Sequence, residues 1–219
     1  MNSAVTTAIS RLASSSFAGR VPVVLVLSAL LLACGGGGGD EPPAHSDAVI
    51  GTTPTIISGS SGATGSGGLI ALDASTSCGL PEFRIDLLQQ INAVRSVART
   101  CGSAAMAAVA PLTWNDRLFS AAARHSRDMA TRNYFSHTGL DGRNPAQRVA
   151  DEGYAWSWVG ENIAAGQPAV SAVMGSWLAS PGHCANIMRP EFLEVGVSCV
   201  QQAGSTYGRY WTMALGRPQ

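Results

Sequence analysis

Histidine is scarce in this chain, four in 219 residues, so each one can be weighed separately. His137 and His183 lie near the two ends of the stretch from Tyr134 to Met188, each close to a turn-forming glycine, and Glu161 falls almost midway between them. Two imidazoles and one carboxylate could hold Zn²⁺ and leave a position open for water, or supply the parts of an acid/base site. They could equally form a hydrogen-bonded polar cluster that fixes the shape of a cleft. The spacing is far too long for one helix, so three separate elements must bring these groups together. No GxSxG-type nucleophile motif surrounds Ser136 or Ser180. No second carboxylate stands out as a separate base for metal-bound water. The residues therefore leave open whether the site is catalytic. Of the other histidines, His45 lies in a Gly/Ser-rich stretch and reads as solvated. His125 lies on an apolar helical face and reads as a satisfied core residue.

The elements that must position these groups follow from periodicity. Phe83, Leu87, Ile91, Val94 and Ala98 recur at helical spacing and predict a helix over Glu82 to Arg99. Residues 102–110 read as a loop. Leu118, Ala121, Ala122, His125 and Met129 mark one face of a second helix, with Asn115 or Thr113 as its N-cap. Arg124 and Asp128 stand at the i,i+4 spacing of an ion pair on that helix. His137 follows in a loop. Asn144 can cap a short third helix over Pro145 to Glu152. Residues 156–165 read as a strand running into a loop around Glu161. A fourth helix opens at Pro168 and ends at Ser180-Pro181-Gly182, and residues 184–188 form a short helical turn. Residues 193–200 and 207–215 alternate as two strands. Helices followed by strands indicate an α+β or layered α-β-α domain.

The N-terminal third has a different character. Arg11 and Arg20 precede an almost wholly apolar run, residues 21–33, which is too short to span a bilayer comfortably and reads as a signal peptide over residues 1–33. The run ends in Leu31-Leu32-Ala33-Cys34. That pattern resembles the lipobox of bacterial lipoproteins, with Cys34 as the lipidated residue that tethers the chain to a membrane. Residues 34–77 are rich in Gly, Ser, Thr and Ala, and read as a flexible linker. Cys78, Cys101, Cys184 and Cys199 remain, an even number in an exported chain. Of the three pairings open to them, Cys78–Cys101 and Cys184–Cys199 are expected, because each pair brackets one local unit. All fourteen basic residues are arginine, balanced by fourteen acids. No basic cluster interleaved with aromatics appears, which argues against a nucleic-acid partner.

The segments LTWNDRLFSAAARHSRDMA, NYFSH, VGENIA, the PGH of residues 181–183, NIM, VGV and the final YWTMALG, in this order, resemble a bacterial member of the CAP superfamily. That superfamily includes cysteine-rich secretory proteins, antigen 5 and plant pathogenesis-related proteins. The resemblance covers about residues 83–217. It implies a three-layer α-β-α sandwich over residues 78–219, with His137, Glu161 and His183 lining a central cleft. Matching the family's helix tryptophan to Trp177 puts Ser180 where eukaryotic members carry a second cleft glutamate. Two function classes follow. One is a ligand-binding module, tethered to the cell envelope or secreted, that takes a small lipid, a peptide or an envelope component. The other is a metal-dependent hydrolase or protease acting on envelope or extracellular substrates.

Overall fold

The computed structural model describes Val49–Gly51 and residues 68–219. The signal-peptide and Cys34 readings lie outside the described residues, as does most of the 34–77 stretch. The helices are α1 (Phe83–Arg95), α2 (Asp116–Arg132), α3 (Pro145–Asp151), α4 (Val170–Ala179) and α5 (Pro181–Ile187). The strands are β1 (Val49–Gly51), β2 (Arg99–Cys101), β3 (Ala104–Met106), β4 (Thr113–Trp114), β5 (Trp156–Ala165), β6 (Glu194–Gln201) and β7 (Arg209–Pro218). Five strands form one sheet in the order β1-β5-β7-β6-β4, antiparallel except for β4 on β6. β2 and β3 form a separate hairpin, and β3 falls within the 102–110 stretch expected as a loop.

Period-two alternation sorts the sheet residues onto two faces. Val195, Val197, Cys199, Trp211, Met213 and Leu215 point to one face, where they bury against Phe83, Leu87 and Ile91 of α1, Val173, Met174 and Trp177 of α4 and Ile187 of α5. Val159 and Ala214 point to the other, against Leu118, Ala121 and Ala122 of α2 and Val149 of α3. The result is the three-layer α-β-α sandwich. The α2 layer sits unusually close to the sheet at Gly196, where a Cβ would lie 2.0 Å from the Phe119 backbone nitrogen. Only glycine permits that approach.

Local chemistry sets the helix ends. Asn115 accepts hydrogen bonds from the backbone N–H groups of Arg117 and Leu118, as an N-cap should. Asn144 and Gln147 form a reciprocal capping box on α3. α1 is shorter than its apolar period suggests and stops at Arg95. That residue is fully buried, and its guanidinium donates to the carbonyls of Ala110, Ile187, Arg189 and Phe192. A buried cation bound by four carbonyls ties α1 to the end of α5. The Arg124–Asp128 pair does not form. Asp128 pairs with Arg132 at 3.0 Å, and Arg124 reaches across to Glu152 on the far side of α3.

Two sequence expectations are corrected. The ordered domain starts before Cys78: the Ile70 N–H donates to Ser120, Thr76 and Ser77 are buried, and the Cys199 N–H donates to the Thr76 carbonyl. This arm runs beside β6, with Ser77 bridged to Cys199. The disulfides are therefore Cys78–Cys199 and Cys101–Cys184, not the local pairs. The local pairing assumed that sequence neighbours are spatial neighbours. The arm instead carries Cys78 to β6, and the β2–β3 hairpin lays Cys101 against α5. Among the described residues, no helix is long and apolar enough to cross a membrane.

Candidate functional site

Glu161 is placed by strand parity. Val159, Glu161 and Ile163 point from β5 toward the α2 layer, whereas Gly160, Asn162 and Ala164 point toward α1, α4 and α5. An acid on an apolar strand face is buried by construction, and Glu161 is 2% exposed. Burying an ionised carboxylate without compensation costs far more than a domain can absorb, so partners must be supplied. Arg148 of α3 donates from Nη2 to Oε2 at 2.6 Å, and Nδ1 of His137 lies 2.8 Å from Oε1. His125 of α2 lies on the same side, with Nε2 4.0 Å from Oε1. The His137 loop, α3 and α2 thus converge on one carboxylate.

Burial alone would raise the Glu161 pKa. The Arg148 guanidinium, followed by His125 and the hydrogen bond from His137, outweighs it and holds the carboxyl at about 2. Glu161 is therefore ionised and accepts only, so Nδ1 of His137 carries the proton of that bond. Nε2 of His137 is buried and makes no hydrogen bond among the described residues. Burial pushes the His125 imidazole below its ordinary value by more than Glu161 raises it. Its Nε2 lies 2.9 Å from the Ser136 carbonyl, an acceptor, so Nε2 carries the hydrogen and Nδ1 presents a lone pair. Asp128 and Tyr134 complete the side of the cluster, the tyrosine hydroxyl donating to Asp128 at 2.5 Å.

His183 enters from the other layer. It lies on α5, and its carbonyl accepts from the Asn162 amide at 3.0 Å. Asn186 on the same helix donates to the Asn162 side chain at 2.9 Å and to the Glu161 carbonyl. The loop and strand thus bring His137 and Glu161 into direct contact, while α5 is stitched to the adjacent residue on the opposite face. Ser180 stands at the junction of α4 and α5 as the N-cap residue of α5, without a side-chain cap bond.

Glu161 does not fit as a direct ligand of a divalent metal. Glu161, the only carboxylate of the expected ligand set, is already neutralised by Arg148 and bonded to His137. The Nε2–H of His125 is committed to a carbonyl. Among the described residues, no three His, Cys, Asp or Glu side chains stand together as metal ligands. Sequence reasoning missed Arg148 and assigned His125 to the core without its neighbour. His125 is indeed buried, with Nε2 4.0 Å from Oε1 of Glu161. The signal for Arg148 was available: a glutamate inside the apolar run WVGENIAA requires a cation, and Arg148 is the only arginine of α3.

Comparison with known proteins bears on the same segments. The model of the CAP family, described as the cysteine-rich secretory protein family, matches residues 88–215. The chain is 34% identical over 102 residues to the uncharacterized protein YkwD of Bacillus subtilis strain 168, a match that covers 47% of this chain and 38% of YkwD. It is 30% identical over 89 residues to the uncharacterized membrane protein YlbC of the same organism, covering 41% of this chain and 26% of YlbC. The chain thus spans well under half the length of either relative. Among solved structures, it resembles an extracellular protein containing a SCP domain from Bacillus anthracis (TM-score 0.44, 29% identity, 50% of this chain and 34% of that one). It also resembles a cysteine-rich secretory protein from Staphylococcus aureus (TM-score 0.44, 15% identity, 63% and 40%).

Proposed function

The chain belongs to the cysteine-rich secretory protein (CAP) family, and from that premise we propose that it is an exported, membrane-tethered ligand-binding module whose Glu161 cluster is a fixed polar wall. One observation carries this reading: both carboxylate oxygens of Glu161 are committed within the protein, Oε1 to His137 and Oε2 to Arg148. A carboxylate neutralised by an internal guanidinium offers neither negative charge to a metal nor a free base to a water molecule. The same ion pair fixes the His137 loop and α3 against β5, as the wall of a binding site requires. The ligand class on this reading is an envelope component, whether lipid, peptide or glycan. Tethering follows from the lipobox-like Leu31-Leu32-Ala33-Cys34 and the polyglycine after it.

Calorimetric titration of the full chain with zinc tests this reading, alongside mass spectrometry of molecules that co-purify with it. The expected result is zinc binding no tighter than about millimolar at neutral pH, together with a co-purifying envelope molecule. Stoichiometric, submicromolar zinc binding that disappears in both His137→Ala and Glu161→Gln would overturn it.

A further inference from the structure

Between α2, the 139–143 loop and α3 lies a cavity of about 400 Å³, within the range of small-molecule sites, roughly 300–1,000 Å³. It shares His125, Asp128 and Arg148 with the Glu161 cluster, and its wall carries several ion pairs. Arg124 pairs with Glu152, Arg132 with Asp128 at 3.0 Å, and Arg143 with both Asp141 at 2.9 Å and Asp151 at 2.8 Å. We propose that this cavity binds a neutral, polyhydroxylated ligand, a segment of glycan, by hydrogen bonds to these fixed arginine–carboxylate pairs.

Charge narrows the ligand first. Five arginines line the cavity with four carboxylates, and Glu161 behind the wall cancels the charge of Arg148. The lining is formally neutral, so neither a polyanion nor a polycation is favoured. Ile70 and Ala121 are the aliphatic members of the lining, so the rest of its carbon surface lies among charged and polar groups, an arrangement that suits a ligand carrying carbon and hydroxyls side by side.

Hydrogen-bonding capacity then selects the ligand. Nη1 and Nε of Arg143 are used by Asp141 and Asp151, while Nη2 of Arg143 and Oδ1 of Asp151 make no protein hydrogen bond among the described residues. A donor edge thus stands beside an acceptor. The guanidinium nitrogens of Arg132 other than Nε are similarly unused among the described residues. A sugar hydroxyl both donates and accepts, so vicinal hydroxyls match such alternating pairs. Because the pairs are held together before binding, the ligand meets groups already oriented.

The test uses the full chain in a polyoxyethylene detergent, which carries no sugar. Saturation-transfer NMR and calorimetry are run with a neutral N-acetylhexosamine oligosaccharide, its sulfated analogue and a fatty acid. The neutral sugar is expected to bind, with an affinity that changes less than about twofold as salt is raised. Asp151→Asn and Arg143→Gln are expected to weaken it about tenfold each, the effect of one good hydrogen bond. Arg217→Gln, at the end of β7 and outside the cavity, is expected to leave it unchanged. Both cavity variants alter exposed side chains, so circular dichroism should show them folded. No binding of the neutral sugar overturns the proposal, as does preference for the sulfated analogue with steep salt dependence or for the fatty acid. Binding that survives both cavity variants also overturns it. Zinc uptake at the Glu161 cluster would defeat the reading of that cluster without touching these outcomes.

Discussion

Arg148→Met tests the electrostatic account of the cluster. The substitution keeps a long unbranched stem and removes the cation that contacts Oε2 of Glu161 at 2.6 Å. Both side chains are buried, Arg148 10% exposed and Glu161 3%. Breaking one partner from a buried pair costs about 3–5 kcal/mol, because the remaining charge is left uncompensated. The pH dependence provides an internal check. The folded carboxyl sits at about 2 against an ordinary 4.5. A carboxyl depressed on folding stabilises the native state above the unfolded value, and that stability is lost as pH falls from 4.5 toward 2. A shift of this size corresponds to about 3 kcal/mol. The variant lacks the largest influence lowering that pKa, so its deficit should be greatest at neutral pH and shrink toward pH 3. Urea unfolding followed by tryptophan fluorescence, with disulfides intact, measures this. Adding Glu161→Gln removes the stranded charge and should recover at least about 1 kcal/mol relative to Arg148→Met alone. The reasoning is refuted by a loss below about 1 kcal/mol at neutral pH. It is equally refuted by a pH-independent loss, or by a double variant no more stable than the single one.

Three other changes probe separate features. Replacing Cys101 and Cys184 by serine opens a link across 83 residues and should cost about 2–5 kcal/mol, read from the denaturation midpoint, while peptide mapping of the parent shows Cys78–Cys199 and Cys101–Cys184. Gly196→Ala places a Cβ on the Phe119 backbone, which cannot swing aside as a side chain would. A loss of about 3 kcal/mol or more is expected, and a melting curve matching the parent would contradict the close packing of α2 on β6. Cys34→Ala should move the protein from the membrane fraction to the soluble fraction, and an unchanged membrane fraction would reject the lipobox reading.

Some of this was legible in the sequence because its cause was local. Asn115 and Asn144 announced helix starts because a cap is a short-range bond between a side chain and the next turn. The α1, α2 and α4 apolar stripes and the two C-terminal strands were legible because burial imposes its period directly on the residues. The disulfides were not, because nothing around Cys78 records that its arm lies beside β6, 121 residues on. The Arg124–Asp128 spacing was correct for a helix pair and still did not form. α3 brought Glu152 within reach of Arg124, and Arg132 took Asp128, so tertiary partners overrode the local pairing.

The site shows the same division more sharply. His137 and Glu161 were identifiable as types and do meet, at 2.8 Å. What the two do together depends on Arg148, and nothing near Glu161 in sequence names it. The constraint was nonetheless present in physical form. Glu161 stands at a position of β5 that faces the core, between Val159 and Ile163. A charge there must bring a counter-charge, and the counter-charge must come from an element covering that face. Among the described residues, α2, α3 and the His137 loop cover it. Applied early, that requirement narrows the search to the arginines of these elements and points away from Glu161 as a metal ligand, since both its oxygens are then taken within the protein. The structure supplies the internal cation. What this face presents is therefore a carboxylate paired with Arg148 and bonded to His137, with both oxygens taken inside the protein.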